Sequence, residues 1–523
     1  MLVHRTIILT AAFACASPAL AQDASATKPG TEAGAEKLRA DLAQVISPQA
    51  FDKGYVTVEP DASGYRVTVA IDTTYSVASG SDDATKPADG AAEPLAFTAD
   101  VTIPAWSFHI SEQADGNWLV ESKDPMSFSY GLAYGGRDSS IDYDLGAIDF
   151  SGVYSPALAT FRSLSGTVGK TEMRQTDVSG EVTATTGPQT FDMTATEAGQ
   201  GAVDFVYSQT VEDFSEHMDM AVDPTNPDQT VPIVLKAASL DAEGSGKALK
   251  SRAVLDVYSF VLAHAAKEDL QASQDELKDK LRALLPLWDT MDGTFAFNGM
   301  DVETPAGQFS VDKAYGRLVA DGIETAGRYT YTLGAEGFAT SSDQVPPWAL
   351  SLIPSDLELA LSLDDTDLDT PVRLAIEDFD LNRSSPLSED AKAQIEALFR
   401  DTPPHVIIEP SRIVGQDYRI SVSGEIGFSD ATPQATVDVR AEGLDAVMTS
   451  LQQAGPDNQQ AFQALGFVSM AKGFAETQQD GSVRWLIEAA PDGSVKLNGV
   501  MLKGPTAPAD ALPGEDVEDQ LKN

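Results

Sequence analysis

Cysteine is all but missing from this chain: 523 residues contain one, Cys15. It falls in a stretch read below as a cleaved leader, so a disulfide scaffold, a CxxC redox site and a thiol nucleophile are excluded from the remainder. Basic residues are scarce as well, 35 Lys plus Arg against 80 Asp plus Glu, for a formal charge of −45. Such a field repels nucleic acid and anionic lipid head groups, so binding to either is not expected, while it keeps a large chain soluble. Aromatic residues make up only 7%, which argues against a sugar-stacking cleft. No run beyond the leader approaches the ~18–20 consecutive apolar residues of a membrane-spanning helix.

Chemistry-bearing motifs are missing too. The chain has no G-x-S-x-G elbow, Walker loop or dinucleotide fingerprint. Four histidines lie outside the leader, His109, His217, His264 and His405, and no two have the i, i+4 spacing of a helical zinc site. Each is expected to be structural. His217 lies among Glu212, Asp213, Glu216 and Asp219. Those offer oxygens and one imidazole to a metal, but a solvated acidic turn accounts for them equally.

Three further half-matches fail on inspection. Asp365, Asp367 and Asp369 imitate the first ligands of a calcium loop, yet Thr370 and Ile376 stand where Gly and Glu are required. Ser310 and Lys313 have serine–lysine spacing, but in a strand-like stretch and without partner motifs. Lys170-Thr171 is followed by Glu172, which ends a third match. No catalytic, metal-ligating or cofactor-binding residue is therefore expected, and no cofactor. Paired carboxylates can hide among 80 acids, so a hydrolase built on them stays as an alternative.

What is present begins with an export signal. His4 and Arg5 form a basic start, Ile7 to Ala14 an apolar segment, and Ala19-Leu20-Ala21 a small-residue cleavage site before Gln22. Lipid attachment at Cys15 is the rival reading, and Phe13 just upstream suits it poorly. With 42% hydrophobic residues the remainder builds a sizeable core, two domains by its length.

A helix is expected from about Thr31 to Ile46, closed by Pro48. Tyr65, Val67, Val69 and Ile71 alternate with polar neighbours, as in a half-buried strand. Ser79 to Pro94 reads as a long loop, and Phe97 to Val211 as many short strands separated by Gly or Asp turns. Helical spacing returns at Val254, Val257, Val261 and Leu262, then after a capping box at Ser273-Gln274-Asp275-Glu276. Leu357, Leu359, Leu361 and Leu363 alternate as in half-buried antiparallel sheet. Val56-Thr57-Val58-Glu59-Pro60 with Tyr65-Arg66-Val67-Thr68-Val69 is echoed by Val406-Ile407-Ile408-Glu409-Pro410 with Tyr418-Arg419-Ile420-Ser421-Val422. Duplication and convergence explain the echo equally.

Near the C-terminus, Ile420 to Phe428 leads into Pro433 to Val439, then Gly443-Leu444-Asp445-Ala446-Val447-Met448. Asp480-Gly481-Ser482-Val483-Arg484-Trp485 and Asp492-Gly493-Ser494-Val495-Lys496-Leu497-Asn498-Gly499 follow. This run resembles an uncharacterised family of signal-bearing proteins from Gram-negative bacteria, domain-of-unknown-function family twenty-one twenty-five. More distantly it resembles AsmA-type envelope proteins. Those resemblances imply long β-sheets, a periplasmic location and a role in envelope lipid homeostasis, and they carry over no catalytic residue.

The expected fold is α+β and β-dominated, with large antiparallel, groove-forming sheets covered by a few amphipathic helices. The expected organisation is a signal peptide over 1–21, a β-rich domain over 22–247, a helical connector over 248–291, a second β-rich domain over 292–505 with helices near 387–399 and 445–472, and a tail over 506–523. The expected function is a non-enzymatic envelope factor that holds a lipid or other apolar ligand in a sheet groove. A structural factor that binds envelope proteins without a small ligand is the first alternative. Partners are then lipid or envelope proteins, with no nucleic acid and no integral membrane segment after signal cleavage.

Overall fold

The computed structural model describes residues 28–43, 45–77, 97–134, 137–177, 180–223, 226–264, 267–342, 344–350, 352–383, 385–429, 432–455 and 458–505. The segment expected to be a leader, with Cys15, the whole of the Ser79–Pro94 stretch expected to be a loop, and the expected 506–523 tail lie outside them. The described residues hold 24 strands and 10 helices, with 55% of these residues in strands and 23% in helices, so the fold is α+β and β-dominated. Two compact units divide the chain. One runs to Pro346 and takes in Asp367–Ile395; the other holds Pro347–Thr366 and the chain from Glu396 onward.

In the first unit α1 (Glu32–Leu42) and α2 (Pro48–Asp52) precede β1 (Val56–Asp61) and β2 (Gly64–Val77). The sheet goes on through β3 (Phe97–Glu112), β4 (Trp118–Ser122), β5 (Pro125–Tyr134), β6 (Arg137–Ser155), β7 (Thr160–Val168) and β8 (Thr171–Asp177). Then come β9 (Gly180–Thr186), β10 (Gln189–Gly199), β11 (Ala202–Asp223) and β12 (Asn226–Leu249). Helices α3 (Ser251–Ala263), α4 (Lys267–Ala272) and α5 (Gln274–Leu284) lead to β13 (Thr290–Thr304), β14 (Gly307–Asp321), β15 (Gly327–Glu336) and β16 (Ala339–Ser341). The second unit takes α6 (Pro347–Leu350) and β17 (Asp356–Thr366); α7 (Asp369–Asp378) returns to the first. After α8 (Glu389–Asp401) come β18 (His405–Val414), β19 (Arg419–Ser429) and β20 (Thr432–Glu442), then α9 (Leu444–Ala454) and α10 (Gln459–Gly473). The last strands are β21 (Glu476–Thr477), β22 (Val483–Ala489), β23 (Val495–Leu497) and β24 (Val500–Lys503).

The first unit's sheet is antiparallel and two-tiered. The long strands β3, β6 and β11 run through both tiers, while shorter strands fill the tiers between them. β3 pairs with β4 at one end and β5 at the other, and both pair with β6. Likewise β6 pairs with β7 and β8, and β11 with β9 and β10. A seam separates the tiers. It passes through the register shift between Val69 and Ile71, the extra residue Gly146 in β6, and the unpaired positions Asp213, Ala238, Gly299 and Asp312. Asp213, Gly299 and the nearby Gly337 have positive φ, at 48°, 57° and 69°.

The seam shifts the phase of every long strand. In β11 the inward positions are Val203, Phe205, Tyr207 and Val211 on one side, then Phe214, Glu216 and Met218 on the other. A left-handed residue turns the strand by one pleat, so the apolar face runs on across both tiers. Gly146 therefore marks a kink inside a 19-residue strand, not a turn between short strands as expected over Phe97 to Val211, and Asp213 marks one in β11, which runs for 22 residues beside the 24 of β12.

The core gathers under the N-terminal helices, where Leu38 and Phe51 pack on Val56, Val67, Ile110 and Val120. A second cluster joins Leu158, Met193, Ala195 and Val203. Two local expectations are corrected. α1 stops at Leu42 and Pro48 opens α2, where a missing N–H costs nothing. Ser273 makes no side-chain cap, because its own N–H is still bonded to Asp269 at the end of α4.

The echoed segments both form helix-then-hairpin units with different registers. Glu59 pairs with Arg66 across a two-residue turn, whereas Arg419 pairs with Val414 and a bulge falls between Ile408 and Ser411. In β17 the leucine face is the open one: Leu357, Leu359, Leu361 and Leu363 are 38–44% exposed, while Ala360 and Ser362 are buried. Small side chains and hydrogen bonds suit that opposite face to close packing, since Ser411 Oγ accepts from the Ala360 N–H and Ser362 Oγ donates to Glu409.

Candidate functional site

The apolar face of the first unit is built row by row from cross-strand pairs. One row reads Gln209, Ala242, Phe295, Gly316, Leu333, and the next Tyr207, Gly244, Gly293, Leu318, Tyr331. Glycines recur because aromatic rings lie flat over them. A Cβ on Gly244 would meet the Tyr207 ring, one on Gly246 the Phe205 ring, and one on Gly316 the Phe295 ring. The result is a thin, smooth floor. Phe295, Leu318, Tyr331 and Leu333, all on this face, stay 40–49% exposed, and adjacent exposed apolar side chains are a recognised mark of a binding surface.

The second unit repeats the theme. Leu361, Ile408, Gly424, Val437, Ile487 and Leu497 form one cross-strand row. Its helix α10 exposes Phe462 and Phe467 by 66% and 69%.

Across the seam in the first unit, the row Phe128, Tyr143, Met173, Ala184, Glu216, Leu235 sets one acid among apolar neighbours. Phe128 and Tyr143 stack, with centroids 4.9 Å apart and planes 10° from parallel. A cavity of about 380 Å³ lies along β3, β5, β6, β8 and β9; besides Phe128, Tyr143, Met173 and Ala184 it is lined by their polar neighbours along the strands, Asp142, Asp144, Glu172 and Arg174 among them, and Glu216 is not part of its lining. Glu216 is 8% exposed, the one charged side chain in the buried set of the described residues. Burial pushes its carboxyl above the usual carboxylate range. The Tyr143 hydroxyl is raised first by its own burial and then by the charge of Glu216.

The residues weighed from the sequence are scattered and locally engaged. His109 Nε2 lies 3.1 Å from Ser63 Oγ, and His264 Nδ1 lies 2.9 Å from the Phe260 carbonyl. His217 faces Asp219 at 3.7 Å and His405 faces Glu425 at 3.6 Å. Asp367 accepts from the Thr370 N–H at 2.9 Å and Asp369 holds Arg373 at 2.6 Å, so these acids serve the start of α7. Ser310 sits mid-strand in β14, and Lys313 Nζ lies 5.4 Å over the Tyr315 ring. Lys170 is paired with Glu172. Among the described residues no three His, Asp or Glu side chains are grouped as metal ligands.

The acidic segment around His217 is not a turn. It is a continuous part of β11, with His217 and Glu216 on opposite faces. Glu216 was the functional candidate least visible in the sequence. Its signal was an acid in phase with Phe214 and Met218, legible only once Asp213 is known to shift the alternation.

Fold and site together define a β-dominated α+β protein whose sheet carries an extended apolar face with one buried acid in it. Residues 253–500 match the model of a family described as an uncharacterized protein conserved in bacteria (DUF2125). That match bears on the first resemblance drawn from the sequence and not on the AsmA-type one. No curated protein and no solved structure matches the chain. Among the described residues no helix is long and apolar enough to cross a membrane.

Proposed function

We propose that this protein is a non-enzymatic, exported envelope factor that holds the acyl chain of a lipid, or a similar apolar ligand, against its sheet. The observation that carries the reading is the group Phe295, Leu318, Tyr331 and Leu333, which share one face over a glycine floor and remain 40–49% exposed. Covering such a surface with hydrocarbon releases about 25 cal/mol for each Å² of apolar area removed from water. The small residues beneath leave depth for a chain to lie along the strands. Native mass spectrometry with organic extraction, on protein purified from a Gram-negative periplasm, tests it. A stoichiometric lipid adduct is expected; a clean apo mass, even in mild detergent, overturns it.

A second reading is favoured by the leucine face of β17. There the protein binds an envelope partner, with no small ligand. A stable complex on gentle pull-down, lost on Leu359→Ser and Leu361→Ser, distinguishes it.

A further inference from the structure

We infer that the second unit docks on the surface of a lipid bilayer through helix α10 and strand β24. This goes beyond the lipid-holding reading and does not rest on it, since that reading places its ligand on the sheet of the first unit.

The first ground is a set of large apolar side chains left in water at one place. Phe462, Phe467 and Met470 on α10 are each more than half exposed, and so is Phe474 at its C-terminal cap. Strand β24 adds Val500, Met501 and Leu502, exposed by 49–64%. The two elements adjoin, because Asn498 Nδ2, in the turn before β24, donates to the Phe474 carbonyl at 2.9 Å. Trp485 Nε1 donates to the Ala471 carbonyl at 2.8 Å and pins the last turn of α10 to β22. A helix as apolar all round as this is ordinarily buried. Yet the exposed positions of α10 are all Gln, Gly, Ala, Met or Phe.

The second ground is charge, and it selects the occupant. The chain carries −45, but over residues 458–505 four acids are balanced by Lys472, Arg484, Lys496 and Lys503. α10 itself has no Asp or Glu, and its one charged side chain, Lys472, is paired with Asp445 of α9. Lys496 and Lys503 stand exposed on β23 and β24. A neutral apolar face is the part of an acidic protein that can approach a bilayer, while its acidic remainder is held away from negative head groups. A second copy is a poorer occupant, since it brings a further −45 to the same contact. The fifteen residues of α10 make about 22 Å of helix, short of the ~30 Å hydrocarbon core, so the helix lies in the interface and does not span. Phe and Met then enter the boundary of head groups and acyl chains, and the two lysines reach the phosphates.

The test floats the full chain on a density gradient with phosphatidylcholine vesicles, whose head groups carry no net charge. Wild-type protein is expected to rise with the vesicles equally at low and high salt, because apolar insertion is not screened. Phe462→Ser with Phe467→Ser is expected to weaken vesicle binding about tenfold or more, since two partly buried rings are lost. Its melting temperature should hold, as both rings lie in water in the free protein. Leu318→Glu with Leu333→Glu, on the first unit's sheet, should still float, which separates docking from lipid holding. Wild-type protein that stays at the bottom, flotation abolished by salt, or flotation unchanged in the folded Phe462/Phe467 variant overturns the inference. Flotation lost in the Leu318/Leu333 variant puts the contact on the first unit and overturns it too. So does a wild-type dimer that the two serines dissociate, which would assign the face to a second copy.

Discussion

Phe214 and Phe297 meet edge to face, with ring centroids 6.4 Å apart, although Phe214 lies beyond the left-handed Asp213 and Phe297 on the other side of the seam. Their contact shows that one apolar face continues across both tiers. Gly299 makes that crossing possible in β13, at φ 57° and with its Cβ position 3.2 Å from Ala238 Cβ. Gly299→Ala is expected to cost about 1–2 kcal/mol, the left-handed penalty for a residue with a Cβ. Gly466→Ala, in helix α10 with open space around it, is expected to gain up to about 1 kcal/mol. Thermal unfolding of the two variants should move in opposite directions.

Gly244 lies beneath the Tyr207 ring, so Gly244→Ala sets a favourable loss of chain entropy against a steric clash. The first is worth about 0.4–1 kcal/mol and the second about 1–3 kcal/mol, and the clash is expected to win. In a Tyr207→Ala background the ring is gone, and the same change should become neutral or stabilising. A double-mutant cycle by denaturant unfolding reads the difference. An equal cost in both backgrounds would show that the ring is not the obstacle.

Glu216 has its carboxyl raised by burial. A raised carboxyl stabilises the fold below the unfolded value of about 4.3 and loses that contribution as pH climbs through the folded value. Apo Glu216→Gln is therefore expected to melt above the wild type at pH 8, by the equivalent of about 1–3 kcal/mol. The gap should close toward pH 4. A gap independent of pH would rule out titration of this group.

Asp378 shows the opposite sign. It accepts from the Ser388 N–H at 2.7 Å, from Arg383 at 2.8 Å and from Ser388 Oγ at 2.9 Å, which holds its carboxyl down at about 2. Ser388 Oγ in turn accepts from the Ala391 N–H at the start of α8. The stabilisation is present above the unfolded value of about 3.9 and is lost as pH falls through about 2. Hydrogen exchange at Ala391 should stay slow at pH 4 in the wild type and be fast in Asp378→Ala at the same pH.

Leu318→Glu with Leu333→Glu tests the open face directly. Both side chains are nearly half exposed, so each change should alter stability by no more than about 0.5 kcal/mol. Bound lipid should fall to background while the melting temperature holds. Unchanged lipid in a folded double variant would move the ligand off this face.

Much of the fold was legible in local pattern. The alternation of Tyr65 to Ile71 and the helical spacing of Val254 to Leu262 became the elements they imply. Two Asp-Gly-Ser turns and the Asp115-Gly116-Asn117 turn share one bond set: Gln478 N–H to the Ser482 carbonyl, Ala490 N–H to that of Ser494, and Gln113 N–H to that of Asn117, each with the glycine at positive φ. Turn chemistry acts over five residues, so a sequence can hold it whole.

The β-dominated class, the acidity and the scarcity of thiols are legible in the amino-acid order, because composition, pleat period and turn geometry are local. That order could not place the seam, since nothing local to Gly146, Asp213 or Gly299 shows that their neighbours pair straight past them. Nor could it show that the leucines of β17 stay open, or that Glu216 shares a row with Phe128 and Tyr143, which lie 88 and 73 positions before it in the chain. Burial and cross-strand register are long-range quantities, set by which strand lies beside which, and only the tertiary structure decides them.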